Sequence, residues 1–187
     1  MEFVEPIRDK KQIDNMKRYL KERNLRDWLL FVLGINNGLR ISDLLALQVE
    51  DVQGCDRISV REKKTGKIKN FPLGDNCKKA LAEYIQASDL TIGPLFPSRK
   101  SSGSNGTGAI SRQQAYITIN AAARAVGITA AIGTHTLRKT FGYWAFQQGV
   151  DVTKIQQLLN HSAPSVTLRY IGITRDELDQ VYIKMNL

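Results

Sequence analysis

From Leu25 the chain runs through Trp28, Leu29, Phe31, Val32, Leu33 and Ile35 and then stops at Asn36-Asn37-Gly38. The run has the length of a helix, and its Asn-Gly end supplies the left-handed residue that closes one. A helix apolar on nearly every side has to be surrounded by other elements. It therefore belongs at the centre of a core, and the rest of the 187 residues must cover it. A chain of this length can bury such a core without covalent staples. Cys55 and Cys77 are the only cysteines, and no Cys/His cluster has zinc spacing, so two buried, reduced thiols are expected rather than a disulfide framework or a structural metal.

The covering segments are mostly helical. Asp9 to Arg23 carries Ile13, Met16 and Leu20 at helical spacing, with a break at Asn24. Ser42 or Asp43 could cap a short helix ending near Leu47. Gly74-Asp75 opens a helix from Asn76 to about Gln86 with Ala80, Leu81, Tyr84 and Ile85 inward. Ser111 caps another, through Ala115, Ile119, Ala122, Ala123 and Val126, stopped by Gly127. Thr134 opens a helix with Leu137, Phe141 and Ala145 on one face, ending at Gly149.

Asp151 caps a short helix with Val152, Ile155, Leu158 and Leu159 inward, broken at Asn160-His161-Ser162. Pro164 starts the next, which carries Val166 and Tyr170 on one side. Thr174 to Glu177 reads as a capping box for a last helix, residues 174–187, striped by Leu178, Val181, Tyr182 and Met185. Only Arg57 to Arg61 and Ile68 to Leu73 alternate as strands, joined by Glu62-Lys63-Lys64-Thr65-Gly66-Lys67 as a hairpin with a lysine-loaded tip. Residues 100–108 contain no apolar side chain and are expected to form a mobile loop. The pattern predicts a mainly helical α+β fold with a small antiparallel β-sheet, residues 1–187 forming one domain.

Lys and Arg number 27 against 18 acids, a formal charge of +9, which favours a polyanionic partner such as nucleic acid. The start of the chain is no signal peptide, and no apolar run is long enough to cross a membrane, so a cytoplasmic protein is expected. The chain has only two histidines, His135 and His161, and both lie near Arg138 and the pair Arg169-Tyr170. Arg40 stands at the junction of two apolar helices, costly to bury unless it meets an anion. That anion could be an internal carboxylate such as Asp43, or a ligand.

Two arginines, two histidines, a lysine and a tyrosine, without a carboxylate pair or metal cluster, suit phosphoryl transfer. Forked guanidinium groups hold charge on non-bridging oxygens, while lysine and histidine move protons. A phenol with an ordinary pKa of about 10 needs a base or a cationic surrounding to attack at neutral pH.

The ordered series Gly38-Leu39-Arg40-Ile41-Ser42-Asp43-Leu44, Lys64-Thr65-Gly66-Lys67, His135-Thr136-Leu137-Arg138-Lys139-Thr140, Leu158-Leu159-Asn160-His161-Ser162 and Arg169-Tyr170 resembles the catalytic domain of the tyrosine recombinases, the phage integrase family. The resemblance spans nearly the whole chain. It implies site-specific cutting and rejoining of double-stranded DNA, in integration or recombination, through a 3′-phosphotyrosyl link to Tyr170, without ATP or metal. It implies that Arg40 and Arg138 bind the scissile phosphate, that Lys64 is the general acid, that His135 exchanges the nucleophile's proton, and that His161 hydrogen-bonds the phosphate. Lys63 and Lys67 rival Lys64. With Arg112 and Lys139 they are the expected DNA contacts.

The sequence departs from the family pattern at Asn160, where glycine commonly precedes the histidine, at Asp43 in place of glutamate, and at Gly172 in place of a second histidine. Only 39 residues precede Arg40, so the N-terminal core-binding domain usual in the family is expected to be absent, leaving a catalytic-domain fragment or a minimal protein. The resemblance also implies assembly as a homo-oligomer on DNA, with the helix after Thr174 docking on a neighbouring protomer. A type IB topoisomerase shares the chemistry but joins no second site, and a helical DNA-binding regulator would explain the charge without the ordered series.

Overall fold

The computed structural model describes residues 4–98, 108–173, Asp179, Tyr182, Ile183 and Met185. The expected mobile loop, apart from Gly108, and the capping box at Thr174 to Glu177 lie outside the described residues. Eight helices are described: α1 Lys10–Arg23, α2 Leu25–Asn37, α3 Ile41–Leu44, α4 Asp75–Ser88, α5 Arg112–Ala125, α6 Thr134–Gln147, α7 Val152–Leu158 and α8 Pro164–Ile171. Strands β1 Arg57–Arg61 and β2 Ile68–Pro72 form a two-stranded antiparallel sheet between α3 and α4.

Helix α2 is the centre that its composition required. Leu29, Leu30, Phe31 and Leu33 are fully buried, and α1, α4, α5 and α6 pack around it. Asn24 serves both neighbours: its amide closes α1 on Leu20 O, and its side chain caps α2 by accepting from the Asp27 amide. Gly38 ends α2 at φ 59, and a Cβ there would collide with the Phe141 ring. The tight Gly38-Leu39 link therefore delivers Arg40 directly to the start of α3.

A second, smaller cluster of Tyr143, Ile155, Leu159 and Ile171 joins α6, α7 and α8. It sets where α8 lies. Gly142 permits the close approach: a Cβ there would sit 2.6 Å from Ile171 Cγ2 and 3.1 Å from Leu159 Cδ1. The N-terminal segment straps this cluster to α6. The Ile7 amide donates to Thr140 Oγ1 at 2.9 Å, Trp144 Nε1 donates to Ile7 O at 2.9 Å, and Arg8 Nη2 donates to Gly172 O at 2.7 Å.

Gly142→Ala is expected to lower stability despite alanine's better helix propensity. The propensity gain is about 1 kcal/mol, whereas overpacking costs about 1–3 kcal/mol, and both contacts here belong to packed helices. Thermal unfolding monitored by circular dichroism checks this. An unchanged or raised Tm would mean that α8 yields freely.

The sheet differs from its polarity pattern. Ile58 pairs with Phe71 and Val60 with Lys69; directly paired residues share a face, so the inward Ile58 and Val60 draw Lys69 inward and turn Ile68 out, 63% exposed. Other expectations also need correction. Neither Ser42 nor Asp43 caps α3; both lie inside it, and the N-cap position is taken by Arg40 without a side-chain cap. Asp43 instead spends its carboxylate on the hairpin. Leu158 is 42% exposed, because α7 ends there and its seven residues turn only Ile155 fully inward. Both cysteines are free, Cys77 buried but Cys55 only partly so.

Candidate active site

Four segments converge beside the N-terminus of α3: the Arg40 junction, the hairpin, the N-terminal half of α6, and the stretch from Asn160 through α8. Arg40 is not paired with Asp43. Its Nη1 lies 2.8 Å from Oε1 of Glu62, a residue with no exposed side-chain surface, and neither atom makes a well-aligned hydrogen bond within the protein. This contact buries Nη1 against the carboxylate and leaves the remaining 16% side-chain exposure of Arg40 to the rest of the guanidinium and its stem. Glu62 Oε2 accepts from Thr65 Oγ1 and from Asn160 Nδ2, each at 2.7 Å. Asp43 Oδ1 accepts from the Lys63 amide at 2.9 Å, fixing the hairpin to α3.

Arg138 is 3% exposed, so it is no surface charge. Its Nη1 donates to Gly38 O at 2.6 Å and its Nη2 donates to Leu159 O. The guanidinium thus spans the end of α2 and the end of α7, with part of its five-donor fork left for other acceptors.

Tyr170, on α8, has its hydroxyl 3.4 Å from His135 Nδ1. Its ring meets His161 edge to face at a centroid distance of 4.7 Å, and Lys139 Nζ lies 5.3 Å over that ring. Burial pushes the phenol's pKa above its ordinary value, and the charges of Arg138 and Arg40, with a hydrogen bond from Arg138, only partly offset it. The free phenol is therefore protonated at neutral pH and needs a base.

His135, whose Nδ1 lies against the hydroxyl, has the protonation state that a base requires. Its pKa is lowered by burial and then by Arg112, Arg138, Lys139 and Arg40, so its imidazole is neutral. His161 is lowered to about 4 by burial, Arg138 and Arg40. Thr167 Oγ1 lies 3.0 Å from His161 Nδ1 and 3.4 Å from Ala163 O. The carbonyl can only accept, so Thr167 Oγ1 donates to Ala163 O and stands against His161 Nδ1, tying the imidazole to α8.

The hairpin lysines divide into two groups. Lys63, Lys64 and Lys67 are exposed at the tip, and Lys64 makes no described hydrogen bond or ion pair. Lys69 is the lysine drawn toward the arginines. Its Nζ donates to Asn37 O at 3.3 Å, and its pKa falls to about 8 through burial and the charge of Arg138, against an opposing pull from Glu62. Arg112 is exposed at the start of α5, and Lys139 is 4% exposed. Sequence reasoning missed Glu62, Lys69 and Thr167. The β1–β2 register would have exposed Lys69; no local signal marked the other two.

One consequence is a pH-dependent fold. His161 takes up its proton near pH 6.5 when unfolded and near pH 4 when folded. Its contribution to stability is therefore complete above about pH 6.5 and is lost as pH falls through about 4. After discounting for partial exposure, on the order of 2–3 kcal/mol should disappear over that window. Urea unfolding of wild type and His161→Gln between pH 7 and 4 checks this: the variant should show a shallower decline, and parallel declines would contradict it.

Residues 8–177 match the family model described as the phage integrase family. The chain is 44% identical over 183 residues to the probable integrase/recombinase YoeC of Bacillus subtilis (strain 168), with 97% of each chain covered. It is 31% identical over 162 residues to the tyrosine recombinase XerD of Corynebacterium glutamicum, covering 85% of this chain and 52% of that protein. Beside this and the other XerC and XerD relatives, the chain spans about half their length. In fold it is similar to the XerH site-specific recombinase bound to palindromic difH substrate, a post-cleavage complex, with a TM-score of 0.73, 18% identity, and coverage of 97% of this chain and 53% of that one.

Proposed function

The chain belongs to the phage integrase family as a tyrosine recombinase catalytic domain, and from that premise we propose that it cuts and rejoins DNA at a specific site, with Tyr170 as nucleophile. The observation that carries the assignment is the Tyr170 hydroxyl within 3.4 Å of a neutral His135 and in reach of the buried Arg138. The Tyr170 oxygen attacks the scissile phosphorus while His135 accepts the phenolic proton. Arg40 and Arg138 hold the non-bridging oxygens, and His161 donates to one of them. The bond to the 5′-oxygen breaks as that oxygen takes a proton from Lys64, one residue beyond the anchored Lys63 amide. The products are a 3′-phosphotyrosyl enzyme and a free 5′-hydroxyl, and reversal by a 5′-hydroxyl from another strand completes recombination. Lys63, Lys67 and Arg112 contact the DNA backbone, while Lys139 works from beneath the Tyr170 ring.

The protein acts in the cytoplasm as an oligomer assembled on DNA, the second site being what separates it from a topoisomerase. The test is a nicked suicide-substrate assay on flanking genomic or random-sequence DNA, resolved on a denaturing gel. A covalent protein–DNA band whose linked peptide contains Tyr170, followed by recombinant joints when two sites are supplied, is expected. Relaxed circles without joints would favour the topoisomerase, and salt-sensitive binding without any adduct would favour a DNA-binding regulator.

A further inference from the structure

Glu62 is a fully buried carboxylate placed among cations, and nothing in the phosphoryl-transfer scheme uses it. It gathers three segments: Arg40 from the α2–α3 junction, Thr65 from the hairpin tip, and Asn160 from the stretch before His161. Asn160 holds φ 51, left-handed backbone that glycine reaches without penalty and that asparagine tolerates better than most residues. The departure from glycine thus keeps the backbone path and adds an amide that reaches Glu62.

We infer that Glu62 is a positioning residue for Arg40, and that Asn160 and Thr65 hold its carboxylate so that the guanidinium is aimed before DNA binds. The geometry distinguishes aiming from blocking. Oε2 has two well-formed hydrogen bonds that keep the carboxylate where it is, while Oε1 holds only Nη1 of Arg40, 2.8 Å away in a buried contact. An incoming phosphate oxygen can take hydrogen bonds from the other guanidinium nitrogens, on a side chain that keeps 16% exposure, without expelling Glu62. The same carboxylate moderates the repulsion among Arg40, Arg138 and Lys69.

This inference rests on the recombinase reading for its rate effects but not for its structural one, so two measurements are paired. In the first, the side-chain Nε–H signal of Arg40 is followed by NMR in the full chain, assigned through its loss in Arg40→Lys. A slowly exchanging signal is expected in wild type, broadened in Glu62→Gln and partly in Asn160→Gly, with backbone spectra otherwise unchanged.

In the second, single-turnover cleavage at saturating DNA should fall about 10- to 100-fold in Glu62→Gln and about 5- to 10-fold in Asn160→Gly, with DNA affinity within about twofold. Added to Arg40→Lys, Glu62→Gln should cost less than about threefold more, because the two act as one unit. An Arg40 signal indifferent to Glu62 overturns the inference, as does a fully additive double variant, which indicates a general structural role. An Arg40 signal that depends on Glu62 in a protein forming no adduct would sink the recombinase reading and leave the positioning role standing.

Discussion

Tyr170→Phe is expected to eliminate the covalent protein–DNA band while leaving DNA affinity within about twofold. The variant removes one oxygen, the atom that bonds to phosphorus in the proposed reaction. Neither threonine hydroxyl described beside it is free to take its place: Thr167 Oγ1 is held between His161 and Ala163 O, and Thr65 Oγ1 is held by Glu62. Loss of a nucleophile from a preorganised site costs on the order of 10⁵–10⁶ in rate, below the detection of a gel assay. Stability should change little. The hydroxyl's contact with His135 is long at 3.4 Å, and burying an aromatic ring without its hydroxyl recovers desolvation energy, so the net change should stay within about 1 kcal/mol. Equal Tm with no adduct is therefore the expected pair of results. A residual adduct in Tyr170→Phe would place the nucleophile elsewhere.

The parts of this site that were legible in the sequence are those fixed locally. The apolar α2 run ending at Gly38 placed Arg40 at a junction, and the three-residue spacing of His135 and Arg138 put both on α6 toward Tyr170. Capping by Ser111 and Asp151 depends on near neighbours in the chain and was anticipated, whereas Asn24, expected only as a break, both closes α1 and caps α2. The expectation failed where a side chain's partner is distant. Asp43 was the nearest carboxylate to Arg40 in sequence, but it is spent on the Lys63 amide, and the ion pair goes to Glu62 across the hairpin. Lys69 looked like one more solvated strand residue until the register with Val60 turned it inward. The charges of Arg138 and Arg40 pull the phenol's pKa down; burial, which spacing does not reveal, outweighs both arginines.

Arg138 is where fold and chemistry are hardest to separate, and its substitution is expected to damage both. Alanine leaves the carbonyls of Gly38 and Leu159 without their donors, and each buried unsatisfied group costs about 1–3 kcal/mol. Against this, the loss of one cation relieves repulsion with Arg40 and Lys69, which returns part of that cost. The carbonyls should win, because they are fixed at two helix ends and cannot turn to solvent without unwinding them. A net loss of about 2–3 kcal/mol corresponds to roughly 5–10 °C in Tm for a domain of this size.

Cleavage should fall by 10² or more beyond what the lost stability explains, as for other donors that meet developing oxyanion charge. Arg138→Lys separates the two effects. It keeps the charge but not the fork, so it should preserve DNA affinity and part of the Tm while remaining slow in cleavage. The His161 titration gives an independent reading. Arg138 is the larger of the two charges that help hold it down to about 4, so in Arg138→Ala its NMR-detected pKa should rise toward 6.5, whereas in Arg138→Lys it should stay low. A His161 titration identical in all three proteins would mean that Arg138's charge does not reach the site, and with it the assignment of this arginine to the phosphate would fall.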